Sequence, residues 1–504
     1  MCGIVGILSN KTPVNPDTLI CMRDALIHRG PDDCGLWINK NGLVGLGHRR
    51  LSIIDLSGAG RQPMESYDRR FVITFNGEIY NFQEIREELK GKYSFKSGTD
   101  TEVLLYSYAE WGKECLHKLR GIFAFAVWDE VEKKLFAARD RAGEKPFYYY
   151  YRNDEFVFAS EPKAITLYDC FEKRIDYRSL IDYLTFGFIC APKSIWKDCY
   201  KLPAGHYLEY FPENGKLEIK CYWDIDLTPD YSKSESFWIE GIKEHLRESV
   251  KLMLISDVPL GAFLSGGVDS SAVVSVMKDY KPELKTFSIG FKNSGKFNEL
   301  PYAINVSKKV GTDHKNIYVT EDDFLELFDE MCWFYDEPFG DYSYIPTYCV
   351  SRLAKKEVTV AISGDGGDEL FGGYSKYWKL QRIERIRKFM PKNFIRLIES
   401  LVGSLLSRHS RIKKGLNMLK QHQNGMILIA NNGNRSENLR AMISDEEFMD
   451  TLNNYNPFDP LLEILNNDKI KNLDIVTKAR YLDFKWYLCD DILTKVDRAS
   501  MAIS

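Results

Sequence analysis

The stretch Phe263–Ser271, FLSGGVDSS, places a glycine turn between an apolar strand and a helix. The strand is predicted in VPLGAFLS and the helix in SSAVVSVMKDY, and this order is typical of a parallel α/β sheet. Gly266 and Gly267 would let the backbone approach a phosphate, and the helix N-terminus supplies free N–H groups. Three hydroxyl side chains that could donate hydrogen bonds flank the turn: Ser265, Ser270 and Ser271. No GK[ST] follows, so this is not a Walker A loop, and a lone Gly-Gly turn is also compatible with no ligand at all.

Outward from this turn, strand and helix patterns alternate from about residue 240, and the chain beyond residue 373 is mostly helical. Residues 1–160 instead carry many short β-like runs with two helical patterns between them. One of these, NFQEIREELK, places Phe82, Ile85 and Leu89 on one face. Strands in groups with helices between the groups predict stacked β-sheets covered by helices. Residues 161–235 are predicted to be connective, with KLPAGHYLEY and CYWDIDL as further strands.

A second glycine-rich turn, AISGDGGDELFGGY at residues 361–374, follows another predicted strand. Asp269 from the first turn and Asp368 from the second could share an Mg²⁺ ion on a pyrophosphate, because that hard cation prefers oxygen ligands. The alternative is that these acids, with Asp365 and Glu369, are turn formers and helix caps.

Composition excludes several classes of protein. The 504 residues predict two to four domains, and 68 basic against 72 acidic residues give a net charge of −4, which argues against nucleic-acid binding driven by bulk charge. No secretory signal and no apolar run long enough to span a bilayer are present, so we expect a cytoplasmic protein without a membrane partner. The eleven scattered cysteines are expected to be reduced thiols, and the eight histidines show no zinc-binding spacing.

The basic stretch 376–420 could touch an anionic membrane or RNA, but an ordinary helix pair with a solvated basic face is favoured.

At the N-terminus, MCGIVGI places a thiol directly after the initiator Met1. Removal of Met1 would give Cys2 a free α-amine whose ordinary pKa of about 7.7–8.0 leaves part of it neutral near pH 7. Nucleophile and general base would then belong to one residue. The alternative is a buried thiol behind a small-residue start.

Three further stretches bear on Cys2. HRRLSIID puts Arg49 and Arg50 at the head of an apolar strand, where a guanidinium could hold a carboxylate. FNGEIYN puts Asn76 and Gly77 at a strand end, a donor pair that suits an oxyanion. SGTDTE puts Asp100 just before a helix. The alternatives are a tight turn for Asn76-Gly77 and an N-cap for Asp100.

Taken together, these stretches resemble the class II glutamine amidotransferase domain, an N-terminal-nucleophile hydrolase, in family order across residues 1–165. HRGPDD, QPM, GIFAFAVWD, RDRAGEKPFYY and FASEPKAI match as well. The resemblance implies a four-layer αββα domain in which Cys2 attacks the glutamine side-chain amide. It further implies that Arg50 holds the α-carboxylate, Asp100 the α-amine, and Asn76 with Gly77 the oxyanion. Glu78 is implied to lie beside this site.

The two glycine turns resemble those of the pyrophosphate-loop ATP pyrophosphatases. With YDEPFGDYS, KTFSIGF and LTKVDRASMAIS they look like the synthetase domain of glutamine-hydrolysing asparagine synthetases, over nearly the whole chain. This resemblance implies that ATP contacts four residues outside the glycine pair: Leu264, Ile289, Ser363 and Gly364. It also implies that Asp365 supports acyl-adenylate formation, although some relatives carry Glu there.

The implied reaction has two halves. Glutamine is hydrolysed to glutamate and ammonia, and ATP activates the aspartate β-carboxylate as an acyl-AMP that ammonia attacks to give asparagine, AMP and pyrophosphate. A shielded route between the halves would keep water from the adenylate. We predict a glutaminase domain at residues 1–210, a connection at 211–239 and a synthetase domain at 240–504. A homodimer is left open.

The family pattern continues beyond DRASMAIS, so we expect the chain to be a fragment whose C-terminal end is incomplete. The absent part would supply a Lys to the phosphates, and one such contact is worth roughly 2.7–4 kcal/mol if it acts like an oxyanion-hole donor. We therefore expect an intact glutaminase half and an impaired synthetase half. Two alternatives stay open: an amidotransferase acting on a sugar carboxylate of a surface polysaccharide, and a glutaminase-only or non-catalytic remnant.

Overall fold

Strands and helices segregate along the chain as the sequence predicts. A computed structural model describes residues 1–292, 298–390, 411–431 and 444–504. Two antiparallel sheets come first, a parallel sheet follows, and helices make up the remainder. The predicted combination of an antiparallel N-terminal half with a parallel α/β C-terminal half is thus confirmed.

Twelve strands form the two N-terminal sheets. They are β1 (Gly3–Leu8), β2 (Asp33–Ile38), β3 (Val44–Arg50), β4 (Met64–Glu65), β5 (Phe71–Ile79), β6 (Gly121–Asp129), β7 (Lys134–Arg139), β8 (Tyr148–Arg152), β9 (Glu155–Ala159), β10 (Cys199–Lys201), β11 (His206–Phe211) and β12 (Lys216–Cys221). The first sheet has the order β10-β8-β9-β1-β3-β2 and the second the order β12-β11-β7-β6-β5-β4. Apolar side chains fill the space between the sheets, among them Ile4 and Leu46 from the first and Val72 and Trp128 from the second.

Helices cover the outer faces of both sheets. Those of this half are α1 (Pro16–Asp24), α2 (Phe82–Leu89), α3 (Asp100–Trp111), α4 (Cys115–Lys118), α5 (Pro162–Ile165) and α6 (Tyr177–Phe186). α1 packs on β1 and β3, while α3 packs on β5 with α2 beside it. Phe82, Ile85 and Leu89 are all buried, as their spacing predicts. The layers run helix, sheet, sheet, helix, which confirms the predicted αββα architecture.

The stretch predicted to be connective is more ordered than expected. Within residues 161–235 lie the two helices α5 and α6 and three strands that complete the two sheets. β12 pairs with β11 in a hairpin that crosses the predicted boundary at residue 210. CYWDIDL contributes only Cys221 to a strand, because the N–H groups of Tyr222 and Trp223 turn to the Gly205 carbonyl instead of a neighbouring strand.

The C-terminal half is built on a parallel sheet of order β15-β14-β13-β16. Its strands are β13 (Leu260–Phe263), β14 (Lys285–Phe291), β15 (Asp313–Val319) and β16 (Val360–Ile362). Its helices are α7 (Glu235–Met253), α8 (Val268–Tyr280), α9 (Leu300–Val310), α10 (Glu321–Tyr335), α11 (Tyr344–Lys355) and α12 (Gly367–Phe371). Because the carboxyl ends of parallel strands meet at one edge, the two glycine turns after β13 and β16 become neighbours.

Helices continue to the end of the described chain. They are α13 (Ser375–Phe389), α14 (Arg411–Lys420), α15 (Gln423–Asn431), α16 (Glu446–Asn454), α17 (Asp459–Leu465), α18 (Ile475–Leu482), a π-helical stretch (Asp483–Ile492) and α19 (Leu493–Met501). The basic stretch 376–420 is helical at both ends, and its middle part, 391–410, lies outside the described residues. Within the described ranges, no helix is both long enough and apolar enough to cross a membrane.

Candidate active site

The thiol of Cys2 lies where the two antiparallel sheets meet. Cys2 directly precedes β1, and its backbone N–H donates to the Asn76 side-chain oxygen, in β5, at 2.8 Å. Its Sγ lies 3.9 Å from the Leu51 carbonyl oxygen. Burial raises the pKa of the Cys2 thiol. Burial also lowers the pKa of the terminal amine, which belongs to Met1 here, to about 6.

Two hydrogen-bond donors accompany the thiol. Within the described part of the chain, the side-chain nitrogen of Asn76 is buried and has no hydrogen-bond partner. Gly77 follows with φ of +154°, and a Cβ there would lie 2.1 Å from the Ile122 carbonyl oxygen, so only glycine fits. Both residues belong to β5, so the tight-turn alternative is wrong. A buried donor without a partner is the expected state of an oxyanion hole before substrate binds.

The Arg50 guanidinium is held by backbone carbonyls. Arg50 is the last residue of β3, so its predicted position at the head of a strand is wrong. The chain turns there because the guanidinium donates to the Ser57 carbonyl at 2.8 Å and to the Asp55 carbonyl at 2.5 Å. Arg50 lines the same small pocket as Cys2, and it forms no ion pair with a carboxylate among the described residues.

Two carboxyl groups complete the surroundings of Cys2. Asp100 is the first residue of α3, and the helix is capped by Thr99, so the N-cap alternative for Asp100 is wrong. Its Oδ2 instead accepts from the Ile79 N–H at 2.9 Å, and burial raises its pKa to about 6. Burial raises the pKa of Glu78 to about 7, and its Oε1 has no partner within the described chain.

These groups converge on one small pocket of about 30 Å³, which we call the Cys2 pocket. Of the predicted residues, Cys2, Arg50, Gly77, Glu78 and Asp100 line it, while Asn76 lies directly behind Cys2. Sequence reasoning missed further lining residues: Gly60, Gln62, Thr99 and Thr101. The QPM stretch carried the signal for Gln62, whose side chain bonds the Phe75 N–H and the Thr101 hydroxyl.

The first glycine turn is organised by its serines. The hydroxyls of Ser265 and Ser270 are 2.9 Å apart, and Ser265 accepts from the Gly267 N–H at 3.2 Å. α8 begins after Gly267 without a side-chain cap, which leaves its first N–H groups available to an anion. A Cβ on Gly266 would lie 2.4 Å from the Ala303 nitrogen, so the close packing of this turn against α9 also requires glycine.

The second glycine turn contacts the first. A Cβ on Gly364 would lie 2.8 Å from the Ser270 nitrogen. Ser363 donates to the Asp365 carboxylate at 2.6 Å, and Asp365 is exposed. The remaining predicted contacts lie beside these turns: Leu264 is buried at the end of β13, and Ile289 is half-buried in β14.

Asp269 and Asp368 lie close enough to interact electrostatically. Partial burial and the nearby Asp269 charge raise the pKa of Asp368. Two carboxylates that repel each other across adjacent turns would be relieved by a divalent cation. Residues 1–292, 298–390, 411–431 and 444–504 contain no group of three or more metal-ligating side chains, so phosphate oxygens would have to supply the other ligands. The pair therefore fits an Mg²⁺ ion that arrives with a nucleotide.

A cavity of about 210 Å³ separates the two halves. Met1 and Glu78 line both this interdomain cavity and the Cys2 pocket. Ser363 and Asp365 of the second glycine turn line its other side, with apolar side chains such as Ile122 between. Glu78 of the Cys2 pocket and two residues of the second glycine turn, Ser363 and Asp365, thus face one cavity.

Buried charges fasten the halves together beside this cavity. Arg29 donates to both oxygens of Asp497 in α19, at 2.8 and 3.0 Å, and its Nε donates to the Cys2 carbonyl at 3.1 Å. Glu161 pairs with Arg29 and with Arg498, each at 2.7 Å. Sequence reasoning assigned none of these residues a role, although HRGPDD and DRASMAIS contain three of them.

Comparison with known proteins supports both halves. Residues 1–223 match the family model described as glutamine amidotransferase domain, and residues 241–504 match the one described as asparagine synthase. The putative asparagine synthetase [glutamine-hydrolyzing] 2 of Methanocaldococcus jannaschii is 41% identical, over 99% of this chain and 98% of that protein. Asparagine synthetase [glutamine-hydrolyzing] 1 of Bacillus subtilis is 34% identical, over 100% and 78%. Amidase chry2 of Gibberella zeae is 30% identical, over 75% and 60%.

Proposed function

The chain belongs to the glutamine-hydrolysing asparagine synthetase family, and we propose that it makes asparagine from aspartate, ATP and glutamine. Its class is that of an ATP-dependent ligase that uses glutamine as nitrogen donor. Glutamine and water give glutamate and ammonia in the first half. Aspartate and ATP give β-aspartyl-AMP and pyrophosphate in the second, and ammonia displaces AMP.

In the first half, Cys2 Sγ would attack the side-chain amide carbon of glutamine after removal of Met1, with the Cys2 amine taking the thiol proton. The unpartnered amide nitrogen of Asn76, with the Gly77 N–H, would stabilise the tetrahedral oxyanion. Arg50 would pair with the α-carboxylate and Asp100 with the α-ammonium. The convergence of these groups on the Cys2 pocket supports the assignment.

In the second half, the glycine turns would cradle the phosphates of ATP. Ser265 and Ser270 offer hydroxyl donors, and the start of α8 offers N–H donors. Gly266 and Gly267 are proposed to let the backbone approach the phosphates. Asp269 and Asp368 would hold Mg²⁺, which when bound would neutralise charge on the departing pyrophosphate. Leu264, Ile289, Ser363 and Gly364 are proposed to contact the nucleotide, and Asp365 to act where the acyl-adenylate forms.

The observation that carries the complete reaction is the interdomain cavity, since it is lined by Glu78 of the Cys2 pocket and by Asp365 of the second glycine turn. An enclosed path would deliver ammonia before water could protonate it. A cytoplasmic location stays a prediction from the sequence, and a homodimeric assembly stays open.

The experiment is incubation of the purified chain with amide-¹⁵N glutamine, MgATP and aspartate, followed by mass spectrometry of asparagine and AMP. Labelled asparagine with stoichiometric AMP is expected. If incubation with aspartate yields labelled ammonia but no asparagine, and a uronic acid is amidated instead, the acceptor would be a sugar carboxylate and not aspartate. Mass spectrometry of the intact N-terminus belongs to the same experiment, because retained Met1 would contradict the proposed role of Cys2.

A further inference from the structure

The loop that holds Arg50 is itself held by the other half of the protein. Residues 51–60, the Arg50 loop, supply the carbonyls of Asp55 and Ser57 to the Arg50 guanidinium. The backbone N–H of Asp55 donates to Asp257 Oδ2 at 2.8 Å. The backbone N–H of Asp257 donates in return to the Ile53 carbonyl at 3.1 Å. This reciprocal pair joins residues 202 positions apart in sequence.

Asp55 is a junction between the two groups proposed to recognise the α-carbon end of glutamine. Its carbonyl holds Arg50, while its Oδ2 accepts from the Gly98 N–H at 2.6 Å, two residues before Asp100. Its Oδ1 accepts from the Ser57 N–H at 3.1 Å. The backbone of Asp55 has φ of +56°, a left-handed conformation that Asp tolerates better than most non-glycine residues.

Asp257 belongs to the synthetase half. It lies three residues before β13, the strand that leads into the first glycine turn. A small apolar cluster beside it, containing Leu51 and Ile53 with Val258, joins the same two segments. The Asp257 carboxylate is therefore the polar contact through which this segment sets the backbone of Asp55.

We infer that Asp257 is a positioning residue for glutamine, which acts through Asp55 to place both Arg50 and the Ser97–Asp100 turn around the α-carboxylate and α-ammonium. This inference rests on the proposed glutaminase function. Asp257 does not line the Cys2 pocket, so we expect it to affect the binding of glutamine and not the chemical step. If Asp257 only stabilised the contact between the halves, its replacement would change thermal stability without changing the KM for glutamine.

The test is steady-state glutaminase kinetics without ATP for the wild-type chain and three variants. Asp257→Ala removes the acceptor of the Asp55 N–H, and loss of one exposed charge-assisted bond predicts a KM increase of about fivefold, with kcat within about twofold of wild type. Asp257→Asn retains an oxygen acceptor and is expected to restore most of the affinity. Asp279→Ala is the matched control, because Asp279 is an exposed acid in α8 of the same half.

The outcomes separate this inference from the proposed function. A wild-type chain that binds glutamine but does not hydrolyse it would contradict the glutaminase proposal. In that case the variants would be compared with wild type by their affinity for glutamine, measured by calorimetry. An unchanged KM, or affinity, in Asp257→Ala would overturn the inference. A fall in thermal stability with KM unchanged would likewise overturn it, since Asp257 would then only stabilise the contact between the halves.

Discussion

Replacement of Asn76 by aspartate separates its two roles at the Cys2 pocket. The side-chain oxygen of Asn76 accepts from the Cys2 N–H at 2.8 Å, and an aspartate oxygen can keep that bond. The amide nitrogen, buried without a partner in the described chain, would be lost and replaced by a charged acceptor. Removal of one oxyanion-hole donor costs about 2.7–4 kcal/mol in transition-state stabilisation, so kcat for glutamine hydrolysis should fall by about 10²–10³ or more, with KM nearly unchanged.

The assay is coupled detection of glutamate at saturating glutamine without ATP, with KM from the same data. Asn81→Ala is the matched control, because Asn81 is also buried but bonds the Lys118 carbonyl and the Arg120 N–H, away from the pocket. Its loss should lower the free energy of unfolding by about 1–3 kcal/mol and leave kcat unchanged. A kcat for Asn76→Asp within fivefold of wild type would refute the oxyanion assignment.

Three further predictions follow from the same geometry. Because burial raises the pKa of Asp100 to about 6, its carboxylate is lost as pH falls below 6, and the KM for glutamine should rise about tenfold per pH unit there; a flat profile to pH 5 would contradict this. Asp497→Ala leaves the buried Arg29 without its bidentate partner and should destabilise the chain by about 3–5 kcal/mol in denaturant titration while lowering glutaminase activity; retained activity would show that Arg29 holds Cys2 without it. Gly77→Ala should abolish glutaminase activity, whereas Gly241→Ala in α7, where a Cβ has open space, should stabilise the helix by about 0.5–1 kcal/mol.

The main features of the fold could be predicted because they depend on local pattern. FLSGGVDSS contains a strand end, a turn and a helix start within nine residues, and the structure has β13 and α8 at those places. Phe82, Ile85 and Leu89 repeat at helical spacing and are buried together. KLPAGHYLEY correctly predicted a strand, which is β11. The sequence did not indicate β10, which has only three residues, or β12, whose side chains are mostly exposed and give no apolar alternation.

Less of the candidate site than of the fold could be predicted from the sequence. Motifs identified Cys2, Asn76 and Asp100, but not which neighbours hold them. The position of Arg50 was predicted wrongly because LSII reads as a strand, whereas the guanidinium bends that segment through the carbonyls of Asp55 and Ser57. A sequence shows which donors a side chain has. It does not show where those donors point, because that depends on how the surrounding backbone folds.

The contacts between the two halves could not be predicted from local sequence patterns. They nevertheless hold residues of the candidate site in place. Arg29 and Asp497 are 468 positions apart, and nothing in either motif indicates the other. Yet Arg29 bonds the carbonyl of Cys2 and the carboxylate of α19 at once. A buried ion pair of this kind adds little net stability relative to an apolar contact, but removal of Asp497 would leave the buried Arg29 guanidinium with fewer partners, Glu161 among them. The backbone of Cys2 is therefore expected to depend on two long-range contacts, the Asn76 side chain at its N–H and Arg29 at its carbonyl. The bond of Arg29 to Asp497 exists only while α19 is docked.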